Sequence, residues 1–255
     1  MNSALAADSV TVVGGARELV TDLALEFFAG EFVAVLGRNG SGKTLTLHTL
    51  AGLRPPARGI VRLNGSDLSQ LGRREIAQQL GILLQDPEES FTSTVLQAVL
   101  IGRHPHLKLW QWEGSEDERI ARDALEQMEL AELADRSTST LSGGEQRRLA
   151  IATLLAQQPR IFLLDEPTNH LDPHHQLAVL TLFRELARKG ATVIATLHDP
   201  TLAARFADRA VLLFDHGRWR AGPVADVLNA EALSELYLSR IIEIHADGRR
   251  IFISA

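Results

Sequence analysis

The stretch "FVAVLGRNGSGKTLTLHTL", residues 32–50, decides the fold. Its first six residues are an uninterrupted apolar run, the pattern of a parallel strand buried on both faces. Gly37, Arg38, Asn39, Gly40, Ser41, Gly42, Lys43 and Thr44 then match G-x-x-x-x-G-K-[ST]. The glycines let successive backbone N–H groups converge on phosphate oxygens that side chains would block. Lys43 supplies a point charge there, and the Thr44 hydroxyl suits Mg2+. The run after it reads as a helix that stops near Gly52 and Pro55. Strand, glycine loop and helix in this order predict an α/β phosphate-binding unit.

Working outward, residues 8–13 and 23–28 read as short strands turning at Gly14 and Gly15. Residues 59–68 read as a hairpin with Asn64-Gly65 at its turn. "REIAQQL" predicts a short helix, and "GILLQ" at 81–85 another buried strand. From about 87 to 158 the character changes. Amphipathic runs such as "EDERIARDALEQMEL" predict helices and no strand. Then strand and helix alternate through "IFLLDEP", "PHHQLAVLTLFRELARKG", "TVIATLHD", "PTLAARFA" and "RAVLLFD". Such alternation implies right-handed crossovers and a parallel sheet. The tail predicts a hairpin turning at Asp247-Gly248. The expected layout is a single domain: residues 1–86 and 159–255 form an α/β core, and 87–158 a helical insert.

Composition narrows the function class. Of 255 residues 45% are hydrophobic and 23% charged, an ordinary globular balance. The net charge of −6 gives no basic field for nucleic acid or anionic lipid, so no nucleic-acid partner is expected. The pairs Arg73-Arg74, Arg147-Arg148 and Arg249-Arg250 read as solvated faces. Cysteine is absent, which excludes disulfides and thiolate metal sites and fits a reducing compartment. The opening "MNSALAADSVTVV" lacks the basic and apolar regions of a secretory signal. No apolar run approaches the ~20 residues that span a bilayer.

A second anion site stands in "STLSGGEQRR", residues 139–148. Ser142 and Glu145 form a capping box, and Gly143 and Gly144 lie in the first helical turn. A helix start of this kind offers free N–H groups and a positive dipole end. Two glycines there cost helix propensity and need a reason. Asp165 and Glu166 end the strand "IFLL", where one carboxylate suits Mg2+ and the other can polarise an attacking water.

The set "GRNGSGKT", Gln85, "LSGGEQRR", "IFLLDEP", "HLD" and His198, in that order, resembles an ATP-binding-cassette ATPase across nearly the whole chain. The resemblance implies a mainly parallel nucleotide-binding core, an N-terminal antiparallel β subdomain and a helical subdomain carrying the signature. It implies that two copies pair head to tail, each signature closing over the ATP of the other. Ser142, Gly143 and Gly144 then meet the γ-phosphate on the partner, and Asp172 touches the opposite protomer, although as Leu171-Asp172-Pro173 it reads equally as a helix cap. By the same resemblance Gln85 reaches Mg2+ and the attacking water, and His198 is the switch histidine on the γ-phosphate. The expected catalytic set is Glu166, His198, Lys43 and Gln85, with Thr44, Gln85 and Asp165 toward Mg2+.

Two positions depart from that pattern. Gly14 stands where the family usually has an aromatic residue against adenine, which leaves Arg17 as a planar group able to stack on the base. Leu45 replaces a hydroxyl residue facing the α-phosphate. "VLIGRHPHLKLW" at 99–110 resembles a segment of cassettes that drive iron-siderophore, haem and cobalamin importers, in the region that touches the permease. Trp110 and Trp112 read equally as a patch for a permease helix or as packing within the insert. The histidines at 104, 106, 174 and 175 lack the partners that usually complete a metal site. The resemblance therefore implies an ATP-hydrolysing importer subunit, peripheral on the cytoplasmic face of the inner membrane. It would work with a separate permease and, through it, a periplasmic or surface substrate-binding protein. The alternative is a soluble cassette without a channel, as in iron–sulfur cluster assembly.

Overall fold

The computed structural model describes residues 3–85, 93–108 and 110–255. The expected boundary between core and insert, at 86/87, lies outside them. Strands β1 (Leu5–Gly14) and β2 (Arg17–Phe27) form a hairpin, and β3 (Phe32–Gly37) passes through the glycine loop into α1 (Lys43–Leu50). Next come β4 (Arg58–Leu63), β5 (Ser66–Asp67), α2 (Arg73–Ala77) and β6 (Leu80–Leu83). Helices α3 (Val95–Leu100), α4 (Ser115–Gln127) and α5 (Gly143–Gln157) follow. Then β7 (Ile161–Leu164), α6 (Pro173–Arg188), β8 (Thr192–Thr196), α7 (Pro200–Phe206) and β9 (Arg209–Leu213) alternate. The chain closes with β10 (Trp219–Pro223), α8 (Val224–Val227), α9 (Ala230–Tyr237) and the hairpin β11 (Ile241–Ala246) and β12 (Arg249–Ser254).

Six strands form one sheet in the order β10-β9-β3-β8-β7-β6. All pairs are parallel except β10 with β9. A second, antiparallel sheet has the order β2-β1-β4-β5. The apolar run of β3 has a direct reason. Phe32, Ala34 and Leu36 pack into the cluster with the helices, whereas Val33 and Val35 face α1 and the antiparallel sheet. Alternate side chains enter opposite cores, so neither face can be polar. Because β3, β6, β7 and β8 run the same way, Gly37, Gln85, Asp165 and His198 all follow C-terminal strand ends. Open α/β sheets bind ligands at that edge.

The helical stretch packs α5 against α3 and α4, and Thr94 with Gln97 caps α3 reciprocally. The turn at 101–106 is fastened to the helices beneath it. Buried Arg103 donates to Asp117 Oδ1 at 2.9 Å and to the Ala156 carbonyl at 2.8 Å. His106 Nε2 lies 2.8 Å from the Gln157 carbonyl, and the Pro105 carbonyl accepts from Arg74 and Gln78. Strand β10 went unread in the sequence because "WRAGP" has no strand-like alternation and ends in proline; it survives as an edge strand, where proline costs least.

Candidate functional site

The glycine loop is shaped for an anion. Gly40 and Gly42 take φ of +81° and +98°, and Gly42 turns the chain directly into the first residue of α1. Lys43 folds back so that Nζ donates to the carbonyls of Gly37 at 2.9 Å and Arg38 at 3.3 Å. Burial lowers the Lys43 pKa, while the charges of Glu166 and Asp165 oppose that shift. Both carboxylates therefore act on the loop lysine.

Asp165 and Glu166 are locked to β8. Asp165 Oδ1 accepts from Thr196 Oγ1 at 2.7 Å, and the same hydroxyl accepts from the Glu166 amide at 2.8 Å. Asp165 is wholly buried, and its Oδ2 has no hydrogen-bond partner among the described residues. A buried carboxylate oxygen left open beside a phosphate loop suits a hard cation, so the donor set fits Mg2+. Glu166 takes φ 48°, a left-handed conformation that costs roughly 1–2 kcal/mol for a residue with a β-carbon. That turn brings its Oε1 to 2.5 Å from His198 Nε2, and Asn169 Nδ2 donates to Oε2. Both carboxylate oxygens are thus held, one by a residue that sequence motifs did not single out. Gly37, Arg38, Asn39, His198 and Tyr237 line a cavity of about 360 Å3.

The remaining candidate residues sit at element ends. Gln85 is exposed two residues beyond Leu83, as Glu166 is two beyond the paired Leu164. Thr44 is half-buried at the start of α1. Ser142 and Gly143 are exposed at the tip of α5, with Gly144 half-buried behind them. Ser142 Oγ accepts from the Glu145 amide at 3.3 Å, and Glu145 accepts in return from the Ser142 amide at 2.7 Å. Asp172 caps α6, and the His175 amide and ring nitrogen, at 3.0 and 2.8 Å, hold its carboxyl below the ordinary range.

Arg147 overturns the expectation of a solvated arginine pair. It is buried at 2% exposure and donates from α5 to the carbonyls of Leu84, Gln85, Asp165 and Glu166. The helix bearing Ser142 is thereby tied to both strand ends. No sequence signal distinguished it from Arg148, because its acceptors are backbone groups far along the chain.

The two departures are one packing event. A β-carbon on Gly14 would stand 2.6 Å from Leu19 Cδ1 and 3.3 Å from Leu45 Cδ1. Leu19 and Leu45 already fill the space over Gly14. Exposed Arg17 lines an adjoining cavity of about 600 Å3 with Leu19, Gly40, Ser41, Phe214 and His216. No group of three or more histidine, aspartate or glutamate side chains is arranged for a metal among the described residues.

The sequence model described as "ABC transporter" matches residues 20–169. The hemin import ATP-binding protein HmuV of Streptomyces coelicolor is 40% identical over 91% of this chain and 82% of its own length. The ferric enterobactin transport ATP-binding protein FepC of Escherichia coli is 37% identical over 91% and 86%. Among solved structures, a dimeric ATP-binding cassette in a post-hydrolysis state with ADP and Pi superposes with a TM-score of 0.76 at 28% identity, covering 86% of this chain and 98% of that one. With the family matched over more than half its length, a loop built for phosphate and an ordered carboxylate beside it, the chain belongs to the ABC transporter family and is an ATPase.

Proposed function

We propose that this chain is the ATP-hydrolysing subunit of an importer for haem or a ferric siderophore, driving a separate membrane permease by closing and reopening a head-to-tail dimer. The observation that carries this is an exposed, pre-capped helix tip. Lys43, Asp165, Glu166 and His198 gather at one sheet edge, whereas Ser142 and Gly143 stand exposed at the tip of α5. A second copy, turned about, can supply the missing helix tip.

In this reading the loop amides and Lys43 bind the β- and γ-phosphates of ATP. Thr44, Asp165 and Gln85 hold Mg2+, which when bound neutralises phosphate charge. Glu166, fixed by His198 and Asn169, orients the attacking water and takes up its proton. His198 and the partner's Ser142 offset charge on the transferring group, and excluding water strengthens each of these contacts. Arg17, Leu19 and Leu45 receive the base.

The relatives named above are a hemin import and a ferric enterobactin transport ATP-binding protein, which supports this reading over a channel-free cassette. No described helix is long and apolar enough to cross a membrane. Trp110 and Trp112, 92% and 86% exposed, flank a cavity of about 390 Å3 with Arg74 and Leu107, and a permease helix is the occupant we assign to it. The test is isolation of the tagged chain from detergent-solubilised membranes of its own cells. A polytopic protein should copurify, and haem- or siderophore-loaded binding protein should stimulate ATP turnover of the complex. A chain recovered free of membrane proteins, with turnover indifferent to either cargo, contradicts the proposal.

A further inference from the structure

The cavity beside the glycine loop has a wall that no motif announced. Tyr237, the only tyrosine in the chain, ends α9 and lines that cavity with Gly37, Arg38, Asn39 and His198. Its hydroxyl donates to the His198 carbonyl at 3.3 Å. Helix α9 is anchored through buried Ala232, Leu233 and Leu236 in the main core, and Asn229 caps its start. The ring is therefore presented from a fixed base.

On the other side, His198 has little else to hold it. It follows Leu197, whose amide donates to the Val35 carbonyl, and precedes Asp199, which caps α7 through the Thr201 amide. Its imidazole is about half exposed and meets Glu166. Among the described residues, the Tyr237 hydroxyl is the only side chain that bonds to the His198 backbone. Burial, with the charge of Asp199 adding to it, pushes the phenol up to about 12, so it remains a proton donor at working pH.

We infer that Tyr237 is a positioning residue for ATP turnover: it holds the His198 backbone so that the imidazole stands between Glu166 and the phosphate loop, and it couples the C-terminal α9–β12 unit to nucleotide occupancy. This rests on the assignment of His198 to the γ-phosphate. The physical chemistry is modest but specific. Losing one neutral hydrogen bond shifts an equilibrium by roughly two- to tenfold. A small displacement of a group aimed at a transferring phosphoryl lowers rate much more than binding.

Tyr237→Phe removes only the hydroxyl. It should keep nucleotide affinity within about twofold, measured with a fluorescent ATP analogue, and lower kcat three- to tenfold; Tyr237→Ala should lower it further. A merely structural tyrosine would change melting temperature without this split between kcat and KM. A second readout needs no substitution at 237. With 3-fluorotyrosine incorporated, the protein gives a single 19F resonance. Mg2+ with the non-hydrolysable analogue AMP-PNP should shift it, and His198→Ala should remove most of that shift. Unchanged kcat in Tyr237→Phe, or a resonance indifferent to AMP-PNP, overturns the inference. Full turnover in His198→Ala would overturn the underlying assignment instead, so the two failures are distinguishable.

Discussion

Gly14 stands at the position expected to meet the base, and Leu45 at the one expected to meet the α-phosphate. In the proposed site, Leu19 beside the exposed Arg17 guanidinium offers contact area without fixed hydrogen bonds to the ring. Apolar contacts of this kind discriminate weakly between similar ligands, whereas unpaired polar groups discriminate strongly. ATP and GTP should therefore bind within about fivefold of each other, and Arg17→Ala should weaken both by about threefold, the cation–π range at an exposed site. A large ATP preference that survives Arg17→Ala would refute the role of Arg17; calorimetry of the two nucleotides decides. Single residues were legible where chemistry allows few alternatives. Lys43 and its glycines are the plain case, since only open backbone can approach a phosphate closely. Arg147, Asn169 and Tyr237 were not, because each acts through partners 3 to 63 positions away that no local spacing marks.

At the scale of elements, α6, β9 and β3 are fastened by one carboxylate. Asp208 accepts from both terminal nitrogens of Arg184 on α6 and, at 2.9 Å, from the Phe32 amide at the start of β3. Burial alone would raise its pKa, but the Arg184 hydrogen bonds, the Phe32 amide and the charges of Arg184 and Arg188 together lower it from the ordinary 3.8. A depressed carboxyl pKa stabilises the fold above the unfolded value, and that contribution is lost as pH falls through the folded value. Asp208→Asn should thus cost about 1–2 kcal/mol at pH 7, allowing for solvent screening of a partly exposed pair. In urea melts the gap to the unmodified chain should narrow below about pH 4. A gap that stays constant with pH would contradict the ionic account. Elements themselves were readable where backbone conformation is demanding: Asn64 and Gly65, at φ 49° and 84°, turn the β4–β5 hairpin as the dipeptide predicts. The inward fastening of 101–106 was not legible, because Arg103 and His106 satisfy helix-end carbonyls more than fifty positions along the chain.

For the whole molecule, the arrangement of parts is the argument. Strand order places the phosphate loop, both carboxylates and His198 on one edge, while the capped tip of α5 carries Ser142 and Gly143 exposed. Arg147 ties that tip to the strand ends carrying Gln85 and Glu166, so in the proposed dimer closure and alignment of Glu166 would be one event. The pairing follows from what each surface lacks. The most direct test is the mass of Glu166→Gln in solution, by light scattering, with and without Mg2+ and ATP. The account predicts one chain without nucleotide, twice that mass with ATP, and a return to one chain when Ser142→Arg is added. A protein that stays monomeric when saturated with ATP, or a doubled mass indifferent to Ser142→Arg, would contradict it.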